Sequence, residues 1–311
     1  MDGSLPARGV RLRSDLRAAG FDEDEIGRAL ARGELVAIRR GAYLEAADPA
    51  LNQLRARHRA AVRAALRQLA PGAVASHVSA AVVRGLDTWG LPLDRVHVTR
   101  DRSHGGRRTR DLHVHPSPLA SDDRTTVGGI AVTTPARTVV DIARTAGFER
   151  GLVVADRALA RRSQGRPPVM TPDELATTVT AAAGRSGIGT VRRVAAAADG
   201  RSGSVGETRS RIALARAGFP APVLQWEVHC GGHRHVTDFG WPEQRVVAEF
   251  DGRVKYGREL RPDQDPAEVL WEEKLREDRL RAEGLAVVRW TWADLADFAE
   301  AAARLRRALA R

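Results

Sequence analysis

Thr237-Asp238-Phe239-Gly240-Trp241-Pro242-Glu243-Gln244-Arg245-Val246-Val247-Ala248-Glu249-Phe250-Asp251-Gly252 is the stretch on which the reading of the chain turns. Pro242-Glu243-Gln244 is turn chemistry between two extended runs. In the second run, Arg245–Phe250, the period of two puts Val247, Glu249 and Asp251 on one face. Val246, Ala248 and Phe250 take the other. Asp238 ends the neighbouring strand. Carboxylates in line with valines near a core are costly unless something neutralises them. A divalent cation does so, because hard oxygen ligands are what it takes. Mg²⁺ needs only one or two carboxylates plus waters and phosphate.

Outward from this stretch, Val223–His229 alternates, Gly231-Gly232 makes a tight turn, and His233–Phe239 returns. A helix over Gly206–Ala217 precedes them, closed by Gly218, and carries Glu207 in line with Leu214. That acid is either a helix-dipole contact or a ligand turned inward. A helix over Leu270–Glu283, a strand over Leu285–Trp292 and a closing helix capped by Asp294 complete this part of the chain. Trp271, Leu275, Asp278 and Ala282 form one stripe of the first of these helices. Lys274 lies about 60° from that stripe, so its amine can reach round toward the strand ends. Among 50 Lys+Arg the only lysines are Lys255 and Lys274, both beside the acidic stretch. A compact ammonium can point at a single oxygen in a way a guanidinium does not.

Helix, three-stranded meander, helix, strand is the order of the PD-(D/E)XK nuclease core. Gly206-Glu207-Thr208-Arg209-Ser210-Arg211, Asp238-Phe239 with Trp241-Pro242, Glu249-Phe250-Asp251-Gly252, Lys255-Tyr256 and Val288-Arg289-Trp290 resemble the very-short-patch-repair-like endonucleases of that superfamily. The resemblance covers 204–310. It implies Asp238 and Glu249 as metal ligands with the Phe250 carbonyl as a third, and Glu207 as the helix-borne acid. Asp251 stands where the superfamily has its lysine. Lys274 then fits the water-positioning role, with Lys255 as the runner-up. The implied reaction is phosphodiester hydrolysis with Mg²⁺, or Mn²⁺ as substitute, leaving a 5′-phosphate. Arg253, Tyr256 and Trp241 are candidate strand contacts, although packing is the ordinary role of Tyr and Trp.

Net charge is +11, which points to a polyanionic partner. Residues 1–200 hold 31 Arg against 21 Asp+Glu, whereas 201–311 are near balance with 19 basic against 18 acidic. The positive excess therefore lies outside the acidic region, as if the front held a polyanion and the back did chemistry. One cysteine, Cys230, excludes an internal disulfide and a thiolate metal cage. No apolar run has bilayer-spanning length, and Met1–Pro6 lacks a charged-then-apolar signal. The expectation is a cytoplasmic protein with DNA as partner and no membrane.

The front begins with a short helix from Asp15 to Ala19. A second opens with Asp22 as N-cap and Glu25 as its reciprocal partner, with Phe21 and Ile26 as a staple. A hairpin, Leu35–Ile38 and Ala42–Leu44, has a basic tip at Arg39-Arg40. This pattern, with Arg-Gly-Glu-Leu-Val and Arg-Arg-Gly-Ala-Tyr, resembles the winged helix-turn-helix of AbiEi-type antitoxins. The second helix opens with four acids, Asp22 to Glu25, which repel phosphate where a recognition helix enters a groove. Arg39 and Arg40 can still hold backbone, or the wing can bind protein, as in a toxin–antitoxin or defence system. The middle block, including Thr134-Pro135-Ala136-Arg137-Thr138-Val139-Val140-Asp141, is similar to the second domain of AbiEi-like proteins. Its loop Asp101–Arg110 presents Arg107 and Arg108 as further nucleic-acid contacts. His113 and His115 share a strand face, read as a solvent-facing pair because no fixed spacing supplies a third ligand. Thr171-Pro172-Asp173-Glu174 opens a helix with a capping box.

The expected fold is α+β and multidomain: a winged helix-turn-helix over 1–48, an α/β middle domain over 49–200, and a restriction-endonuclease-like αβββαβ core over 201–311. Two functions are compatible with this organisation. One is a metal-dependent DNA endonuclease with basic targeting domains. The other is an antitoxin-like DNA-binding regulator whose nuclease-like domain is inactive.

Overall fold

Residues 9–161, 165–252 and 266–311 are described by a computed structural model, with backbone only at 266–270 and 273. Among them the chain is mixed α+β with three sheets. It divides into two units, Met1–Ala158 with Val169–Ala197, and Leu159–Pro168 with Ala198–Arg311. The expected division at 48/49 falls inside the first unit.

In the first unit, β1 (Arg11–Leu12), β2 (Leu35–Arg39) and β3 (Ala42–Glu45) form a sheet in the order β1-β3-β2. Helices α1 (Arg13–Ala18) and α2 (Glu23–Ala31) pack on it through Leu16, Ile26, Leu35 and Tyr43. The Asp22–Glu25 box forms in both directions, at 2.7 and 2.8 Å. A second cluster of Leu12, Ala42 and Ala64 seats this sheet on α3 (Leu54–Gln68). The small sheet therefore has its own cluster with α1 and α2 and rests on α3 through a second one.

The larger sheet runs β6-β7-β5-β4-β9-β8, from β4 (Ala73–Ala75), β5 (Val96–Arg100), β6 (Arg107–Arg108), β7 (Leu112–Pro116), β8 (Arg124–Val127) and β9 (Ile130–Thr133). β5 pairs parallel with β7, and β4 parallel with β9. Alternation sends Val96, Val98, Leu112, Val114, Ile130 and Val132 to one face, against α3 and α4 (His77–Arg84). His97, His113 and His115 take the other. Next come α5 (Pro135–Ala146), α6 (Phe148–Leu159), α7 (Pro172–Ala181) and α8 (Ile188–Ala197). Gly151 of α6 lies against α5 so closely that a Cβ there would meet Ala143 Cβ at 2.8 Å.

His58 is buried in α3, its ring bonded to the Leu93 carbonyl at 3.0 Å and to Ser79 Oγ at 2.9 Å. Burial holds its pKa below the usual 6.5. The unfolded chain then takes up the proton more readily. The contribution is fully present above pH 6.5 and is lost as pH falls below it. Urea midpoints at pH 7.5 and 5.5 are expected to show this loss, and a smaller one in His58→Gln.

The second unit starts its core with α9 (Val205–Arg216). Then come β10 (Val223–Cys230), β11 (His233–Trp241), β12 (Val246–Asp251), α10 (Pro266–Ala282), β13 (Ala286–Thr291) and α11 (Ala299–Leu309). The sheet order is β10-β11-β12-β13, with only the last pair parallel. Leu214 of α9 and Ala301, Leu305 and Ala308 of α11 cover Phe239, Trp241, Val246, Ala248, Val288 and Trp290 on one face. Leu280 of α10 covers Val228, Cys230 and Val247 on the other. Asp294 does not cap α11. Its carboxylate accepts from the amide and hydroxyl of Thr291 and pairs with Arg304, fixing the turn that leaves β13.

No described helix is long and apolar enough to cross a membrane.

Candidate functional site

Two contacts set the position of α9 over the sheet. Ser210 Oγ accepts from the Trp290 indole at 2.7 Å and donates to the Gly206 carbonyl at 2.7 Å. Gly206 lies against the Phe250 ring, where a Cβ would come within 1.9 Å of it. Gly206→Ala must therefore push Phe250 aside. A loss of about 1–3 kcal/mol is expected for such overpacking, read as a lower urea midpoint.

Glu207 stands one residue on, at the start of this helix. Its Oε2 accepts from the Gly203 amide at 2.8 Å and from Gln225 Nε2 at 3.0 Å. Gln225 has a left-handed backbone, φ 51°. A non-glycine residue there costs on the order of 1–3 kcal/mol. The kink switches β10 from one face to the other: Leu224 belongs to the α9 side, Trp226 and Val228 to the α10 side. Leu224 pairs with Phe239 and Trp226 with Thr237, so Gln225 stands across from Asp238.

The β11–β12 ladder runs Trp241↔Val246, Gly240↔Val247, Phe239↔Ala248. The ladder ends there; its register continued one step sets Asp238 opposite Glu249, and Asp238 Oδ2 accepts from the Phe250 amide at 2.8 Å. Glu249 in turn pairs in register with Arg289. By register, Gln225, Asp238, Glu249 and Arg289 thus fall at one level of the four strands, with Glu249 and Arg289 paired.

Glu249 is 8% exposed. Arg276 Nη2 lies 2.6 Å from its Oε1, and Arg289 Nη2 3.2 Å from its Oε2. Arg276 also donates to the Val236 carbonyl at 2.6 Å, and Arg289 reaches Glu277 at 3.3 Å. Glu249 is therefore met by arginines of α10 and β13. Lys274 is exposed, its amine 5.9 Å from the Trp271 ring centre. The expected inward stripe of α10 is displaced: Trp271 is 60% exposed, whereas Leu280 is buried, with Arg276 one turn before it. α10 is polar nearly all round, so its sequence has only a weak apolar stripe to read.

Asp251 ends β12 and is half-buried. The Phe250 ring meets Trp292 edge-on at 4.9 Å. Trp241 is buried, its indole donating to the Pro220 carbonyl at 3.0 Å, so it packs rather than faces a ligand. Lys255, Arg253 and Tyr256 lie outside the described residues.

Of the expected nucleic-acid contacts in the first unit, Arg39 turns inward onto Asp111 at 3.2 Å. Burial pulls its guanidinium down, against the opposing charge of Asp111. Arg40 is exposed at the hairpin tip, and Arg107 and Arg108 are exposed on the edge strand β6. The histidines of this sheet are not a solvent-facing pair. His77, His97, His113 and His115 gather, with ring centres of neighbours 3.7–5.6 Å apart. The period-two spacing of His113 and His115 was a readable signal. The arrival of His77 from a different element had none.

No family model matches the chain. Uncharacterized protein MT2308 of Mycobacterium tuberculosis (strain CDC 1551 / Oshkosh) is 32% identical over 217 residues, which is 70% of this chain and 73% of that protein. Uncharacterized protein Rv2248 of strain ATCC 25618 / H37Rv matches to the same extent. Among solved structures, the RV2827C protein from M. tuberculosis aligns over 71% of this chain and 83% of its own, at 17% identity and a TM-score of 0.39. By the identity and coverage of the first two matches, the chain belongs to the family of the mycobacterial proteins MT2308 and Rv2248.

Proposed function

We propose that the second unit is a metal-dependent DNA endonuclease of the restriction-endonuclease-like class, served by a winged helix-turn-helix and a basic middle region in the first unit. One observation carries the reading: the β11–β12 register, continued one step past its last pair, sets Asp238 opposite Glu249, and Glu207 bonds Gln225 on the next strand. A binding scaffold gains nothing from acids in that arrangement.

The donors suit Mg²⁺ or Mn²⁺ in kind, since both carboxylates are hard oxygen ligands. Asp238 and Glu249 would hold the ion, with the Phe250 carbonyl beside them. A bound ion would polarise the phosphodiester and acidify a water. Glu249 would have to loosen its hold on Arg276 or Arg289 to take part, which makes those guanidinia available to the phosphate. Glu207 orients the row through Gln225. Lys274 remains the amine we assign to the attacking water, but it is exposed and about 200° round the helix from Arg276, so Arg276, already on Glu249, is its rival for that role. Arg40, Arg107 and Arg108 are the exposed cations assigned to the nucleic-acid backbone.

The pairing of Glu249 with two arginines favours a second reading, an antitoxin-like DNA-binding regulator with an inactive nuclease-like unit. Plasmid nicking separates the two. Supercoiled DNA converted to open circles in Mg²⁺ or Mn²⁺ but not in chelator supports the endonuclease. No conversion in either metal, with a salt-dependent mobility shift retained, leaves the regulator.

A further inference from the structure

We propose that His77, His97 and His115 form a binding site for one first-row transition-metal ion, with Zn²⁺ as the ion they suit best. Each offers a ring nitrogen, and the three nitrogens lie within 4.8 Å of one another. His97 Nδ1 and His115 Nε2 are already 3.1 Å apart. A tetrahedral ion with Zn–N of about 2.0–2.1 Å wants its donors about 3.3 Å apart. That pair is at the required spacing, and the His77 nitrogen has up to about 1.5 Å to close, its ring turning out of the stack it makes on His115.

The backbone is built toward this arrangement. His97 and His115 reach one face from the parallel strands β5 and β7. His77 begins α4 with φ at 52°, a left-handed conformation that non-glycine residues adopt only at a cost. Its ring lies stacked on His115, centres 3.8 Å apart. Ser76 is the residue before the helix, where a serine ordinarily caps a free amide. Here it makes no cap, and its hydroxyl bonds His77 Nδ1 at 2.9 Å. That bond orients the ring and leaves Nε2 as the ligand atom, the usual role of a residue behind a metal-binding histidine.

The electrostatics select the class of ion. His77 is buried and His97 and His115 are half-buried, so the ring nitrogens face one another away from open water. Neutral imidazole is the form that binds a metal. Arg137 and Arg144 add positive field at His77. Arg137 is offset by Asp123 and Asp141. A cation held by charge alone has no advantage there, so binding must come from metal–nitrogen bonds. Imidazole suits Zn²⁺, Ni²⁺, Co²⁺ and Cu²⁺, whereas Mg²⁺ and Ca²⁺ need oxygen. The site is thus different in ion and in ligand from the carboxylate row of the second unit.

The test uses the full chain without a histidine tag, stripped with chelator and titrated with Zn²⁺ against a chromophoric chelator. One ion per chain is expected, undisturbed by excess Mg²⁺. His97→Ala and His115→Ala should each weaken binding by about 100-fold or more, and Ser76→Ala by about 10-fold. His113→Ala, which removes a neighbouring ring that is not a ligand, should change it by less than about 3-fold. Zn²⁺ should raise the melting temperature of the wild type and not of His115→Ala, whose melting in chelator shows that it folds. Should His97→Ala not fold, His97→Asn replaces it. Sub-stoichiometric binding by the folded wild type overturns the proposal. So does unchanged affinity in the folded His115→Ala chain.

Discussion

Asp238→Ala is expected to reduce Mg²⁺-dependent plasmid nicking by at least about 100-fold, which is about 2.7 kcal/mol or more of lost transition-state stabilisation. Two features of Asp238 bear on this. It accepts the Phe250 amide where the strand ladder ends, and the register continued one step sets it opposite Glu249. Alanine removes both, so a loss of activity with alanine alone would be ambiguous. Asp238→Asn separates them. Its side-chain oxygen still accepts the amide, while the negative charge is gone. The expected result for asparagine is a melting temperature within a few degrees of wild type, together with the same loss of nicking as alanine. An asparagine variant that nicks at the wild-type rate would remove Asp238 from the chemistry. Lys274→Ala in the same assay tests whether the exposed amine contributes. If it does not, Arg276 is the next cation of α10 to replace.

The second large effect is on stability. Arg137 is 1% exposed and its guanidinium is fully engaged. Nε bonds Asp141 at 3.0 Å, Nη1 bonds Asp123 at 2.7 Å and the Pro118 carbonyl at 3.0 Å, and Nη2 bonds Ser117 at 2.9 Å. Asp141 is 2% exposed, and burial raises its pKa against the pull of Arg137. Arg137→Met leaves that carboxyl buried without its cation. Breaking a pair of this kind costs about 3–5 kcal/mol, seen as a lower urea midpoint. The cost belongs to the orphaned charge, which gives two checks. Arg137→Met with Asp141→Asn should recover at least half of the loss. The single variant's deficit should also shrink as pH falls, because a protonated Asp141 no longer needs the guanidinium. A deficit independent of pH and of the second substitution would assign the effect to packing.

Several elements were legible because their causes are local. The Asp22–Glu25 and Thr171–Glu174 boxes close within four residues, and both form as read. Gly231-Gly232 turns β10 into β11. The alternation of Val246 to Asp251 was enough to put Glu249 and Asp251 on the face of Val247. The pairing of Phe239, Gly240 and Trp241 with Ala248, Val247 and Val246 then needed only the turn length between their strands.

Other features depended on partners distant in sequence. β4 is three residues long and stands between β5 and β9, so nothing within it announces a central strand. Arg39 read as a hairpin-tip cation, but Asp111, 72 residues on, draws it inward. Lys274 was singled out by rarity, whereas the register of α10 turned Arg276 toward Glu249. Gln225 carries a kink that no local rule demands of glutamine.

By itself, the chain's order of residues determined where helices begin, where strands reverse and which carboxylates share a strand face. Those depend on periodicity, capping and turn chemistry, which act over a few residues. Only the tertiary structure decided which cations meet Glu249, that Arg39 faces inward, and that His77 joins His97 and His115. Charge pairing and ring clustering are settled by which surfaces burial brings together. The energy of hiding apolar area exceeds that of any one polar contact, so polar side chains find partners within an arrangement the cores have already chosen.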